Sequence, residues 1–409
     1  MKYFNLNLIF CFVLLCINNA FSQSDSSTNS LTKKERLFQA EKKEKDMIDI
    51  LHFKRFGDED PAAKKKSKPR ITVVPFVGYT LQTRLAGIIA GNMAFYIGTD
   101  DETNQSAIST SISYSQNNQI VFPLFSNLWT KKNKFNILGN WRYYKYPEQT
   151  YGLGGHTSLS DLNKIDYSYI LFRESVLRHV SNSDFYLGIG YNLSYHFNIN
   201  EKGYANGQPT DFEKYGKRKT SISSGVSFHA LFDNRGNTIN PPKGAYANVT
   251  YIPYFKALGG DNNWQALIVD LRKYFKLGQS KNVLAFWSYN WFTFNGNAPY
   301  LDLPSTGWDS YSNVGRGYIQ SRLKGANLVY LEAEYRFRIT HNGLLGGVLF
   351  SNAQSVSNWP NNKFDVIYPS IGTGIRIKLN KHSGTNLAID YGIGIKGSRG
   401  LFVNLGEVF

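Results

Sequence analysis

A chain of 409 residues is long enough for one large domain or two ordinary ones. Its formal charge of +16 admits nucleic acid or anionic lipid as a partner. Both cysteines, Cys11 and Cys16, lie near the start, which excludes disulfide, thiolate and cysteine–zinc chemistry from the rest.

Lys2, an apolar stretch over residues 6–17 broken only by Asn7, and Ala20-Phe21-Ser22 predict a secretory signal peptide over residues 1–22. The stretch is too short to span a bilayer as a helix, which takes roughly 20 apolar residues. Export removes the nucleic-acid reading. It assigns the excess Lys and Arg to lipopolysaccharide phosphates or to a wet lumen.

Residues 23–70 are crowded with Lys, Glu and Asp. Thr32 with Glu35 three residues on forms a capping box, and Leu37, Ala40, Met47, Ile48 and Leu51 make a weak apolar stripe. Lys64, Lys65, Lys66, Lys68 and Arg70 close the segment as a basic run. The reading is a charged periplasmic tail, part helical, with a plug or docking helix as the alternative.

From residue 71 to 409 the period is two. Val329, Leu331, Ala333, Tyr335, Phe337 and Ile339 share one face, and Tyr330, Glu332, Glu334, Arg336 and Arg338 share the other. Such a segment suits a strand between lipid and an aqueous lumen, whereas a helix would scatter its charges all round. The pattern recurs with Ile371, Ile375 and Ile377 against Arg376 and Lys378, and with Leu387, Ile389, Tyr391 and Ile393 against Asp390, Gly392 and Gly394. It is weaker around Leu267, Val269, Leu271 and Phe275, where Lys273 interrupts the apolar face. Lumen-side glycines leave room for something that enters the barrel. Short turns are predicted near Asn182, Asn342 and Lys381, and long loops over residues 147–164, 201–218, 296–325 and 353–364. The expected fold is an all-β transmembrane antiparallel barrel of about sixteen strands. Aromatic residues at 15% fit interfacial girdles.

Three segments resemble the BamA/TamA-type barrel superfamily, also called bacterial surface antigen proteins. Gly315-Arg316-Gly317-Tyr318 is similar to the Arg-Gly-aromatic motif of the family's sixth extracellular loop. The resemblance implies that this loop folds into the lumen and that Arg316 pairs with wall acids. Glu332 and Glu334 are the candidates, with Asp390 more distant. Asp233, Arg235 and Asn237 followed by Gly244 are similar to a family turn between two mid-barrel strands, with Gly236 in place of the usual acid. Gly400 to Phe409, alternating Leu401, Val403 and Leu405 and ending on an aromatic, resembles the sorting signal that barrel assembly machinery reads. Two departures stand out. Asn352 and Gln354 occupy the places of the acid and glycine in the family's Phe-x-Asp-x-Gly, so one usual partner of the loop arginine is missing. Residues 23–70 are also too few for POTRA domains, which implies a member lacking them.

The resemblance implies a role in inserting or translocating protein, or lipid, at the bacterial outer membrane. Implied partners are outer-membrane lipids and lipopolysaccharide, the assembly machinery for the chain's own insertion, and unfolded outer-membrane protein clients. A passive pore or structural barrel is the alternative. His52, His156, His229 and His341 are scattered, and no Gly-x-Ser-x-Gly elbow or phosphate loop occurs. No enzyme activity, metal or cofactor is expected.

Overall fold

A computed structural model describes residues 44–50, 69–80, 83–97, 103–180, 183–204, 207–278, 280–310, 312–381 and 384–409. The signal peptide over residues 1–22 and the Thr32–Glu35 capping box lie outside them. After a short helix α1 (Met47–Ile50), the chain forms sixteen strands, each antiparallel to the next. They are β1 (Arg70–Thr80), β2 (Arg84–Phe95), β3 (Ser106–Ser115), β4 (Ile120–Trp129), β5 (Phe135–Thr150), β6 (Asn163–His179), β7 (Phe185–Glu201) and β8 (Ser221–Asp233). The second half holds β9 (Gly244–Tyr254), β10 (Trp264–Lys276), β11 (Val283–Phe294), β12 (Asn327–Arg338), β13 (Leu345–Val356), β14 (Tyr368–Asn380), β15 (Thr385–Gly394) and β16 (Arg399–Leu405). Helix α2 (Asp211–Gly216) sits between β7 and β8, capped reciprocally by Thr210 and Glu213.

Alternation decides which side chains meet lipid. On β12, Leu331 is 53% exposed, while Tyr330, Glu332, Glu334 and Arg336 are buried toward the lumen. Ile189, Ile371 and Ile393 are likewise half or more exposed on the outer face. A bilayer supplies no hydrogen-bond partners, so each backbone group must be satisfied by a neighbouring strand.

That requirement is unmet at one junction. Among the described residues, no ladder joins β1 to β16, although the two strands lie side by side. β1 has 11 residues and β16 only 7, so full pairing would still leave part of β1 bare.

Connections alternate between two rims. One carries long loops, including residues 151–162, 202–220, 295–326 and 357–367; the other carries turns such as 277–282, 339–344 and 381–384. Two expected loops are shorter than their sequence reading. β5 runs through Pro147 to Thr150, because Tyr146, Glu148 and Thr150 keep pointing inward and bind the residues 295–326 loop. β13 runs on to Val356, with Gln354 bonded to Thr306 of the same loop at 2.8 Å.

A larger correction concerns the end of the chain. The terminal strand stops at Leu405 instead of continuing to Phe409. Gly406, at φ 96°, turns the backbone out of the sheet, a left-handed conformation that glycine adopts without a Cβ penalty. Val408 and Phe409 are then buried in the lumen.

Candidate functional site: an arginine held inside the barrel

The 295–326 connection folds back into the lumen, where its Tyr300, Leu303, Val314, Tyr318 and Leu323 join the buried core. Arg316 is 1% exposed. Its Nη2 donates to Glu332 and Glu334, side by side on the inner face of β12. Its Nη1 donates to Asp390 on β15 at 2.7 Å. A guanidinium is a planar fork, which suits it to bridge carboxylates on two walls at once. The Phe350 ring lies 3.8 Å from the Arg316 guanidinium carbon, a cation–π contact. Burial alone would lower the Arg316 pKa; the three carboxylates outweigh it and hold the charge well above the ordinary range.

The arginine is placed by its backbone. Its carbonyl accepts from the Asn352 amide at 3.0 Å and from the Ser370 hydroxyl. Gly315 and Gly317 flank it with φ of 87° and 102°. A Cβ on Gly317 would lie 2.8 Å from Ser370 Cβ. The opposite wall is cut away to match. A Cβ on Gly392 would meet the Gly317 nitrogen at 2.8 Å, and the space beside Gly394 is filled by the Tyr318 ring. Tyr318 accepts from the Ile395 amide at 3.1 Å and donates to the Pro369 carbonyl. Asn352, which stands where the family has an acid, thus binds the arginine's carbonyl instead of its guanidinium. Asp390, the more distant candidate by sequence, is a direct partner because Arg316 sits mid-lumen between β12 and β15.

Several participants carry no motif. Arg376 donates to Asp390 and, at 2.7 Å, to Glu407. Arg336 donates to Glu334 and to the Phe409 backbone oxygen, each at 2.8 Å. Phe409 stacks on Trp287 with centroids 5.2 Å apart. The inturned end of the chain and the loop arginine therefore share one charge network. A second anchor in the loop, Arg322, is fully buried and donates to the Thr157 hydroxyl at 2.9 Å and the Thr157 carbonyl at 2.7 Å. The alternating pattern gave Arg336 and Arg376 a lumen-facing place; nothing local marks Arg322 or Glu407.

The other motif residues lie elsewhere. Asp233 accepts two bonds from the Arg235 guanidinium and one from its amide, and Arg235 covers the Tyr246 ring at 4.4 Å. Asn237 accepts from the Ile239 and Asn240 amides, and Gly244 opens β9 at φ 112°. This turn reaches the β14–β15 turn, where Asn240 donates to the Gly384 carbonyl at 3.4 Å. On β16, Gly400, Leu401, Val403 and Leu405 pair with Gly392, Tyr391, Ile389 and Leu387.

Residues 103–400 match the Omp85 superfamily domain, well over half of the chain. No curated protein matches the sequence. The fold is similar to BamA from Haemophilus ducreyi lacking POTRA domains 1-3, at 16% identity and TM-score 0.55, over 83% of this chain and 71% of that one. It is also similar to CdiB from Acinetobacter baumannii, at 11% identity and TM-score 0.53, over 83% of this chain and 60% of that one. At these identities the likeness is one of fold. With the family match, it identifies the chain as an outer-membrane β-barrel that belongs to the Omp85 superfamily.

Proposed function

We propose that the protein inserts or translocates protein substrates at the outer membrane, with the β1–β16 junction as the place where a substrate strand engages. The observation that carries this reading is the unladdered seam. Two strand edges without partners inside a bilayer are costly, and an incoming strand can relieve that cost by β-augmentation. We assign the short-turn rim to the periplasm and the long-loop rim to the cell surface, the arrangement usual for bacterial barrels. Strand exchange breaks no covalent bond, so the reading needs no catalytic residue and no cofactor. Lipopolysaccharide would meet the surface loops, and the chain's own insertion would use the barrel assembly machinery.

A passive pore is the second reading. It is disfavoured by the loop that fills the lumen with Tyr300, Leu303, Arg316 and Tyr318. Gene deletion followed by quantitative mass spectrometry of the outer membrane separates the two. Loss of a defined set of barrels supports insertion and names the clients. An unchanged proteome, with steady conductance of the purified protein in planar bilayers, supports the pore.

A further inference from the structure

Residues 44–50 precede the barrel and lie against its short-turn rim. Asp46 and Asp49 cap α1 reciprocally: the Asp46 amide donates to the Asp49 carboxylate at 3.1 Å, and the Asp49 amide to the Asp46 carboxylate at 2.9 Å. A helix of 4 residues has too few internal bonds to stand alone, so the barrel holds it. Three separate turns take part. Glu44 accepts from Lys281 of the β10–β11 turn and from Arg338 at the end of β12. The Lys45 amide donates to the Asn342 carbonyl of the β12–β13 turn at 3.0 Å. Lys381 of the β14–β15 turn donates its amide to Asp46 at 2.9 Å, and its ammonium to the Glu44 carbonyl at 3.1 Å and to Asp49 at 3.0 Å.

The match is one of charge and of shape. Asp46 is fully buried, and the Glu44 side chain is 11% exposed. Burial alone would raise the Glu44 carboxyl; Lys281 and Arg338 outweigh it and hold it below the usual range. Without the segment, Lys281 and Lys381 from two turns and Arg338 from the end of β12 would lose these acidic partners. Arg338 also stands in the same inward row as Glu332, Glu334 and Arg336, so the segment docks at the foot of the network that holds Arg316.

We infer that the rim formed by Lys281, Arg338 and Lys381 is a docking site for an acidic peptide, occupied in cis by residues 44–50 as a removable latch. Covalent linkage through residues 51–69 keeps the local concentration of the segment high, on the order of millimolar, so the site is filled at rest. Its ion pairs are partly exposed and screened by salt, so the latch is releasable. A periplasmic protein with an acidic segment could then compete for the rim. This goes beyond the insertion reading and does not depend on it.

The test uses a fluorescent peptide of residues 40–53 and the purified full chain. Glu44→Ala with Asp46→Asn and Asp49→Asn vacates the rim without altering it. This variant is expected to bind the peptide at least tenfold more tightly than wild type, with affinity falling as salt rises and lost when Lys381→Glu is added. Equal binding by wild type, or no binding by the vacated variant, overturns the inference. If the vacated variant does not fold, a Lys45→Cys/Asn342→Cys pair in otherwise unchanged protein decides. A cross-link that forms at low salt and fades at high salt supports the latch; no cross-link, or one indifferent to salt, overturns it.

Discussion

Gly392 on β15 and Gly317 in the inward loop approach so closely that a Cβ on Gly392 would stand 2.8 Å from the Gly317 nitrogen. The atoms in the way are backbone, so neither side yields by a rotamer change. Gly392→Ala should therefore push the loop off the wall without removing a charge, at the roughly 1–3 kcal/mol typical of overpacking. The expected readout is faster proteolysis within residues 295–326. Gly87→Ala is the control, since a Cβ there meets nothing within 4 Å. Equal protection in both variants would show that the glycine gap does not seat the loop.

Arg316→Ala removes the cation from three buried carboxylates. Breaking a buried pair from one side costs about 3–5 kcal/mol, mostly because the remaining charges are stranded. The loop should become protease-sensitive, and the barrel should unfold at a lower temperature by heat-modifiable gel migration. Arg316→Lys should recover only part of the loss, because a point charge cannot bridge β12 and β15 as a planar fork does. Adding Glu332→Gln to Arg316→Ala should cost less than the sum of the single changes. Strict additivity would place the two residues outside one network.

Phe409 contributes to stability as well as to any sorting. Its ring packs on Trp287 and under Arg336, whose guanidinium carbon is 5.2 Å from the ring centre. Truncating a buried Phe to Ala costs about 3–5 kcal/mol. Phe409→Ala should lower the urea midpoint of the purified barrel in detergent, where no assembly machinery is present. An unchanged midpoint would confine Phe409 to targeting.

Asp302, in the inward loop, is pushed up to about 6 by burial, opposed by its bond from Ser223. Its folded pKa is thus raised above the unfolded value near 4. Its favourable contribution is complete below about pH 4 and is lost as pH rises through about 6. Relative to Asp302→Asn, loop protection of the unaltered protein should weaken between those values. A difference between the two that instead grows with pH would contradict this sign.

Much of the barrel was legible because one physical rule, apolar out and polar in, recurs along many of the strands. It placed Leu331 against lipid and Glu332 and Glu334 in the lumen, and it predicted the sixteen-strand count. The reading went astray at the terminal strand and at two loop edges. Gly400 to Phe409 reads as one terminal strand, yet Gly406 turns the chain inward. Likewise, Pro147 suggested a loop where β5 continues to Thr150. The lumen network was less visible because its members meet only after the sheet curls. Asp390 and Glu332 lie on strands three apart in the wall, and only an arginine from a third segment brings them together. Arg376, Glu407 and Arg322 sit in no motif, and the docking of residues 44–50 depends on three turns far apart in sequence.

The central claim is that the β1–β16 seam engages substrate strands. The direct measurement is the outer-membrane proteome of cells whose only copy carries a cysteine pair across that seam. Chains with either single cysteine serve as controls. The account predicts that cross-linking depletes the same barrels as gene deletion, and that a reductant restores them. A normal proteome with the seam fully cross-linked would contradict it.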